Sequence, residues 1–167
     1  SIEGLSRVVS ERASIDPGLL IEWVKSRVMR ARDGITYLLE RYGVDLYHGH
    51  GVVGDRVVKL VSEKSVLETN YVVLATGTDP LVPRGIGVDG EYVVTNREVF
   101  YMEPPSSLLV VGAGAIGVEL AYSYSMLGVD VYVVEAMPRI LPFLDRDVSV
   151  SLERFLREKG VRFYKNT

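Results

Sequence analysis

Apolar and polar positions along this chain change period twice. Residues 1–15 are short and mixed, with no clear repeat. From there Leu20, Val24, Val28, Ala31, Ile35, Leu38 and Tyr42 recur at steps of three and four, the spacing of one helix face. Asp16 followed by Pro17 supplies a cap and a first-turn proline, and Gly43 stands where a left-handed stop belongs. A long amphipathic helix is expected, mildly interrupted by Gly34. Beyond it the apolar runs shorten to strand length at 44–47, 56–61 and 71–75, with Gly54 and Asp55 placed for a tight hairpin turn. These runs predict a small antiparallel β piece. The stretch that follows holds Pro80, Pro83, Pro104 and Pro105 and reads as a linker.

The pattern is clearest from residue 108. Residues 108–111 form a continuous apolar run, and Gly112, Gly114 and Gly117 follow in G-x-G-x-x-G spacing. Ile116, Leu120, Ala121, Tyr124 and Leu127 repeat at helical steps, Gly128 stops the helix, and a second apolar strand at 129–134 ends in Glu135. Asp145 or Asp147 can then cap a helix with Val148, Leu152, Phe155 and Leu156 on its apolar face, stopped by Gly160 and followed by a strand at 161–165. Residues 108–165 therefore read as βαβαβ, one half of a doubly wound parallel sheet in an α/β protein. In such a sheet the 108–111 strand is central, so its second edge should meet an element this sequence lacks. The expected divisions are 1–79, a linker at 80–107, and 108–167.

The glycine spacing carries chemistry. Gly112 permits a tight turn, Gly114 lets a pyrophosphate approach the backbone, and Gly117 lets the helix pack closely on its strand. Amides at the helix start face the phosphates, with the helix dipole favouring negative charge. Glu135, eighteen residues after Gly117, ends the second strand, where a carboxylate can accept hydrogen bonds from adenosine ribose hydroxyls. It would repel a 2′-phosphate, which favours NAD over NADP. A G-x-G-x-x-G alone is weak, but a mere tight turn leaves Glu135 unexplained.

Composition narrows the partners. The chain has 167 residues, 47% of them hydrophobic and 25% charged, with a net charge of −3, which argues against nucleic acid or an anionic membrane as main partner. No apolar run approaches the ~20 residues of a membrane span and the opening residues are no signal peptide, so the cytoplasm is the expected location. Cysteine is absent, which removes disulfides and thiolate metal sites from this chain. His48 and His50 lack the further ligands a metal needs. Lys25, Arg27, Arg30 and Arg32 read as a solvated helix face.

The ordered stretches YHGHGVV, YVVLATGTDP, LLVVGAGAIGVELA and VYVVEAMPRILPFLD together resemble the FAD-dependent pyridine nucleotide disulfide oxidoreductases, and within them the dihydrolipoamide dehydrogenase branch. The resemblance implies FAD against the backbone of Gly51 and against Thr76, Gly77 and Thr78. It implies NAD against the run Gly112, Ala113, Gly114, Ala115, Ile116, Gly117 and Val118, and against Glu135. Glu119, expected on the first helical turn, would lie near the meeting point of nicotinamide and flavin. The family's opening FAD-binding βαβ, its C-x-x-x-x-C redox pair and its dimerisation domain with a His-Glu pair have no counterpart here. The chain is thus expected to be a middle portion, a Rossmann-like NAD-binding half plus a helix and small β piece from an incomplete FAD-binding domain. It would be inactive alone and carry no catalytic residue. Its implied partners are the remainder of the enzyme, a second copy in a homodimer, and a lipoyl-bearing dehydrogenase complex. An NADH oxidase, a transhydrogenase flavoprotein, and a stand-alone NAD-binding module are the alternatives.

Overall fold

The computed structural model describes residues 16–167, so the unpatterned opening stretch lies outside the described residues. The described residues divide into two compact units, one made by Val88–Thr167 with 16–25, the other by Ser26–Gly87. Helix α1 spans Pro17–Arg41. Its start is as expected: the Asp16 carboxylate accepts the Leu19 amide at 3.1 Å, satisfying a donor that the helix cannot. At its end Gly43 is left-handed (φ 67°), the Gly43 amide donates to Glu40 and the Val44 amide to Leu39, which closes the last turn.

The Ser26–Gly87 unit holds an antiparallel meander of β1 (Gly51–Val53), β2 (Val57–Leu60) and β3 (Ser65–Glu68). The hairpin expected at Gly54 and Asp55 joins β1 to β2, with Val53 opposite Val58 and the Gly54 amide donating to the Val57 carbonyl. Two expected strands are corrected. Residues 44–47 and 71–75 adopt no regular structure, and β3 takes the third place in the sheet instead. A strand exists only where a neighbour accepts its amides, and among the described residues none lies beside either segment. Tyr71 and Val73 accordingly stand 90% and 88% exposed.

The other unit carries the βαβαβ: β4 (Ser107–Val111), α2 (Ala115–Met126), β5 (Asp130–Glu135), α3 (Arg146–Glu158) and β6 (Arg162–Lys165). The three strands are parallel in the order β4-β5-β6, so β5 is central and β4 has one neighbour among the described residues. Val110, Val133 and Phe163 stand side by side across the ladder and are buried against Val118, Ala121 and Tyr124 of α2 and Leu156 of α3. On the opposite sheet face Leu109, Val111 and Tyr164 are exposed. Gly128 and Gly160 are left-handed and end α2 and α3 as Gly43 ends α1.

Two details refine the reading. Asp145 occupies the cap position of α3, but its side chain makes no capping hydrogen bond; Asp147, in the first turn, complements the dipole. Part of the proline-rich stretch also packs on this core. Val94 and Val99 join the apolar cluster, and the buried Tyr124 hydroxyl donates to the Val99 carbonyl at 2.7 Å. A 3₁₀ turn at Val99–Tyr101 follows, where the Glu98 carboxylate accepts both the amide and the hydroxyl of Thr95. Among the described residues no helix is long and apolar enough to cross a membrane.

Candidate dinucleotide site

The glycine turn connects β4 to α2 and is held from several sides. The Gly112 amide donates to the Val134 carbonyl at 2.9 Å, and its φ of 101° is a conformation that side chains rarely adopt. The next amide, of the fully buried Ala113, donates to Glu135 Oε2 at 2.7 Å, while Glu135 Oε1 accepts the Met137 amide at 2.8 Å. Among the described residues all peptides are trans, so an Ala113 N–H aimed at Glu135 sends the Gly112 carbonyl the opposite way. That carbonyl oxygen occupies the space a side chain at Gly117 would need. Gly117 is therefore obligatory, and the helix can approach the strand only because of it.

Gly114 behaves differently. It caps α2 in an extended conformation, and a Cβ placed on it would meet nothing within 4 Å. Among the described residues the amides of Gly114, Ala115 and Ile116 make no hydrogen bond; the first bond of α2 runs from Val118 to the Gly114 carbonyl at 3.0 Å. Free amides, an open approach and the positive end of a helix dipole lie in one place, which suits an anion.

The structure sorts the remaining expected residues. Ala115 and Ile116 are exposed at this opening. Val118 is turned into the core with its amide already bonded, so it offers a ligand neither group. Glu119 is exposed and is the fifth residue of α2, one place beyond the first helical turn on which it is expected, and no acidic residue lies in that turn. In the Ser26–Gly87 unit Thr76, Gly77 and Thr78 are exposed in irregular backbone, with Gly77 left-handed at φ 74°. Gly51 opens β1 opposite Leu60. Among the described residues no group of three or more His, Cys, Asp or Glu could hold a metal.

Sequence reasoning used the segment after β5 only for the family resemblance and gave its residues no role in the site. The Leu141 amide donates to the Ala113 carbonyl at 2.9 Å, and Leu141 is 5% exposed with a left-handed φ of 46°. Its neighbours are tied down. The buried Ser149 hydroxyl donates to the Ile140 carbonyl at 2.6 Å, and the Arg139 guanidinium donates to the carbonyls of Pro142 (2.7 Å) and Leu144 (2.9 Å).

Shifted titrations lie away from the turn. Backbone amides of Val93 and Glu91 hold the Asp89 carboxyl below its usual range, and the Thr95 hydroxyl and amide do the same for Glu98. Burial pushes the Tyr124 phenol up. Burial also pushes the Glu153 carboxyl up, but hydrogen bonds from Lys165 and Arg157 outweigh it and leave the group below its usual range.

Known proteins resemble this chain along most of its length. The family described as pyridine nucleotide-disulphide oxidoreductase matches residues 3–167. A dihydrolipoyl dehydrogenase of Chlorobaculum tepidum is 35% identical over 153 residues, covering 89% of this chain and 33% of that protein. A soluble pyridine nucleotide transhydrogenase of Mycobacterium tuberculosis is 36% identical over 166 residues, covering 96% of this chain and 35% of that protein. Among solved structures, LpdA from Mycobacterium tuberculosis superposes with a TM-score of 0.78 at 32% identity, covering 90% of this chain and 35% of LpdA. The chain thus spans about a third of the length of the relatives it matches. With a match from residue 3 to residue 167, and with the parallel βαβαβ and its glycine turn, the chain belongs to the pyridine nucleotide-disulphide oxidoreductase family.

Proposed function

We propose that the Gly112–Gly117 turn and the start of α2 bind the pyrophosphate of NAD, and that Glu135 receives the adenosine ribose. FAD and a nicotinamide dinucleotide are the cofactors of the family, and together they supply its electron transfer. The residues present fit the dinucleotide. A Cβ on Gly114 would meet open space and, among the described residues, the amides of Gly114, Ala115 and Ile116 make no hydrogen bond, whereas a Cβ on Gly117, three residues on, would strike backbone. That contrast is the observation on which this reading rests. Glu135 uses each carboxylate oxygen once, on Ala113 and Met137, and an ionised carboxylate has about four acceptor sites, so capacity for two ribose hydroxyls is left.

In the full-length protein this chain serves as the NAD-binding half of a flavoprotein that oxidises dihydrolipoamide through a cysteine pair and FAD. Thr76, Gly77, Thr78 and the Gly51 backbone lie against the flavin cofactor, and Glu119 lies toward the nicotinamide end. The protein works in the cytoplasm as a homodimer serving a lipoyl-bearing complex, and residues 1–167 alone turn nothing over. The relatives named dihydrolipoyl dehydrogenase support this donor. A second reading, electron exchange between two nicotinamide nucleotides, is favoured by the relative named transhydrogenase.

The test is calorimetric titration of the full-length protein and its Gly114→Val variant with NAD, followed by flavin reduction with dihydrolipoamide and with NADPH as donors. NAD binding lost in the variant, with reduction by dihydrolipoamide intact, is the expected result. Undiminished NAD affinity in Gly114→Val removes the turn from the site, and reduction by NADPH alone favours the transhydrogenase.

A further inference from the structure

We propose that Leu141 is a positioning residue for the dinucleotide: through its backbone amide it sets the direction in which the Gly114 amide points. The inference rests on the reading of the glycine turn as the NAD site, and deepens it. The Leu141 amide holds the Ala113 carbonyl at 2.9 Å. That carbonyl and the Gly114 amide belong to one trans peptide group, in which C=O and N–H point oppositely. Drawing the Ala113 oxygen toward Leu141 therefore turns the Gly114 N–H away from it, on the residue whose Cβ space is open. The amide is aimed before any ligand arrives, which spares binding the cost of ordering it.

A leucine does not take φ 46° without support, since the left-handed region crowds its Cβ against the backbone. The support is present on both sides. Ser149, 0% exposed, reaches from α3 to the Ile140 carbonyl, and Arg139 spans the carbonyls of Pro142 and Leu144. The Leu144 amide closes back on the Leu141 carbonyl at 2.9 Å. Four hydrogen bonds thus hold a conformation that the residue would otherwise leave, and the conformation's yield is one amide directed at the glycine turn.

Two substitutions in the full-length protein separate this role from simple packing. Leu141→Gly keeps the amide and accepts a left-handed backbone, but deletes a buried side chain; Leu141→Val keeps most of the apolar bulk, but a β-branched residue resists that backbone. The Kd for NAD is read by calorimetry, with bound-flavin absorbance and Tm as checks on folding. The expected result is a Kd raised about tenfold in Leu141→Val, the cost of misdirecting one hydrogen bond to a charged group, and a change within about twofold in Leu141→Gly, although the glycine variant melts lower. Wild-type affinity in Leu141→Val, or a weaker Kd in Leu141→Gly than in Leu141→Val, overturns the proposal in favour of packing. If the unmutated protein binds no NAD, the reading of the turn falls and takes this inference with it.

Discussion

Glu135 and Gly117 act on opposite ends of one peptide group. The carboxylate takes the Ala113 N–H at 2.7 Å, and the carbonyl of the same peptide, on Gly112, fills the space that a Gly117 side chain would occupy. Neither residue can change without disturbing the other's side of the turn.

Gly117→Ala and Gly114→Val should therefore separate folding from binding. The alanine methyl drives into backbone, which cannot give way as a flexible side chain would, so a loss of at least about 1–3 kcal/mol of stability is expected. At 114 a Cβ would meet nothing within 4 Å, so Gly114→Val should leave Tm nearly unchanged while abolishing NAD binding. Thermal melts and NAD titrations of both variants, side by side, check the pair. A Gly117→Ala protein as stable as the parent would contradict the turn geometry.

Glu135→Ala strips the acceptor from the Ala113 and Met137 amides as well as from the ribose. NAD binding should weaken by roughly 1–3 kcal/mol, the range for hydrogen bonds to a charged group. Glu135→Gln should recover part of it, because one amide oxygen remains to accept from Ala113. Calorimetry on both variants decides, and equal affinity in all three proteins would remove Glu135 from the site.

Tyr124→Phe tests the tie between α2 and the stretch before β4. Its hydroxyl is the shorter of two donors to the buried Val99 carbonyl, and losing it should cost about 0.5–1.5 kcal/mol, because that carbonyl keeps only the long bond from the Met102 amide at 3.5 Å. Urea unfolding measures the cost. NAD affinity should hold, since the bond lies far along α2 from its capped end.

The pH dependence follows from Glu153. Its folded pKa lies below the ordinary 4.5, held there by Lys165 and Arg157 against the effect of burial. The folded state thus releases the proton more readily than the unfolded state does, so the contribution is complete above the unfolded pKa and fades as pH falls through the folded one. Urea midpoints should decline on acidification below about pH 4.5, and Glu153→Gln should flatten that part of the curve. An unchanged slope in the variant would assign the acid sensitivity elsewhere.

The βαβαβ was legible because its signals are local. Strand and helix periods alternate, and Gly128 and Gly160 stand at the helix stops. The antiparallel sheet was read less well because pairing is a matter of neighbours. Residues 71–75 have strand composition and no strand beside them, whereas Ser65–Glu68 has only two apolar residues in a row and pairs fully with β2. Within the site, the glycines and Glu135 announce themselves by spacing. Leu141 could not, because a residue before proline is expected to be extended, and Pro142 follows it. Its left-handed turn is set by Ser149 and Arg139, contacts that no period reveals.

The exposed Leu109, Val111 and Tyr164 follow from chirality rather than from composition. Each crossover from a strand through a helix to the next parallel strand is right-handed, and both crossovers here step the same way across the sheet. Two such steps must lay both helices on one side, as the shared core of Val110, Tyr124 and Leu156 records. A winding that does not reverse covers one side only, and among the described residues the other side stays exposed however apolar it is. Polar replacements at Leu109 or Tyr164 would accordingly change how this surface meets water or other protein without loosening the turn that lies beyond the strand's end.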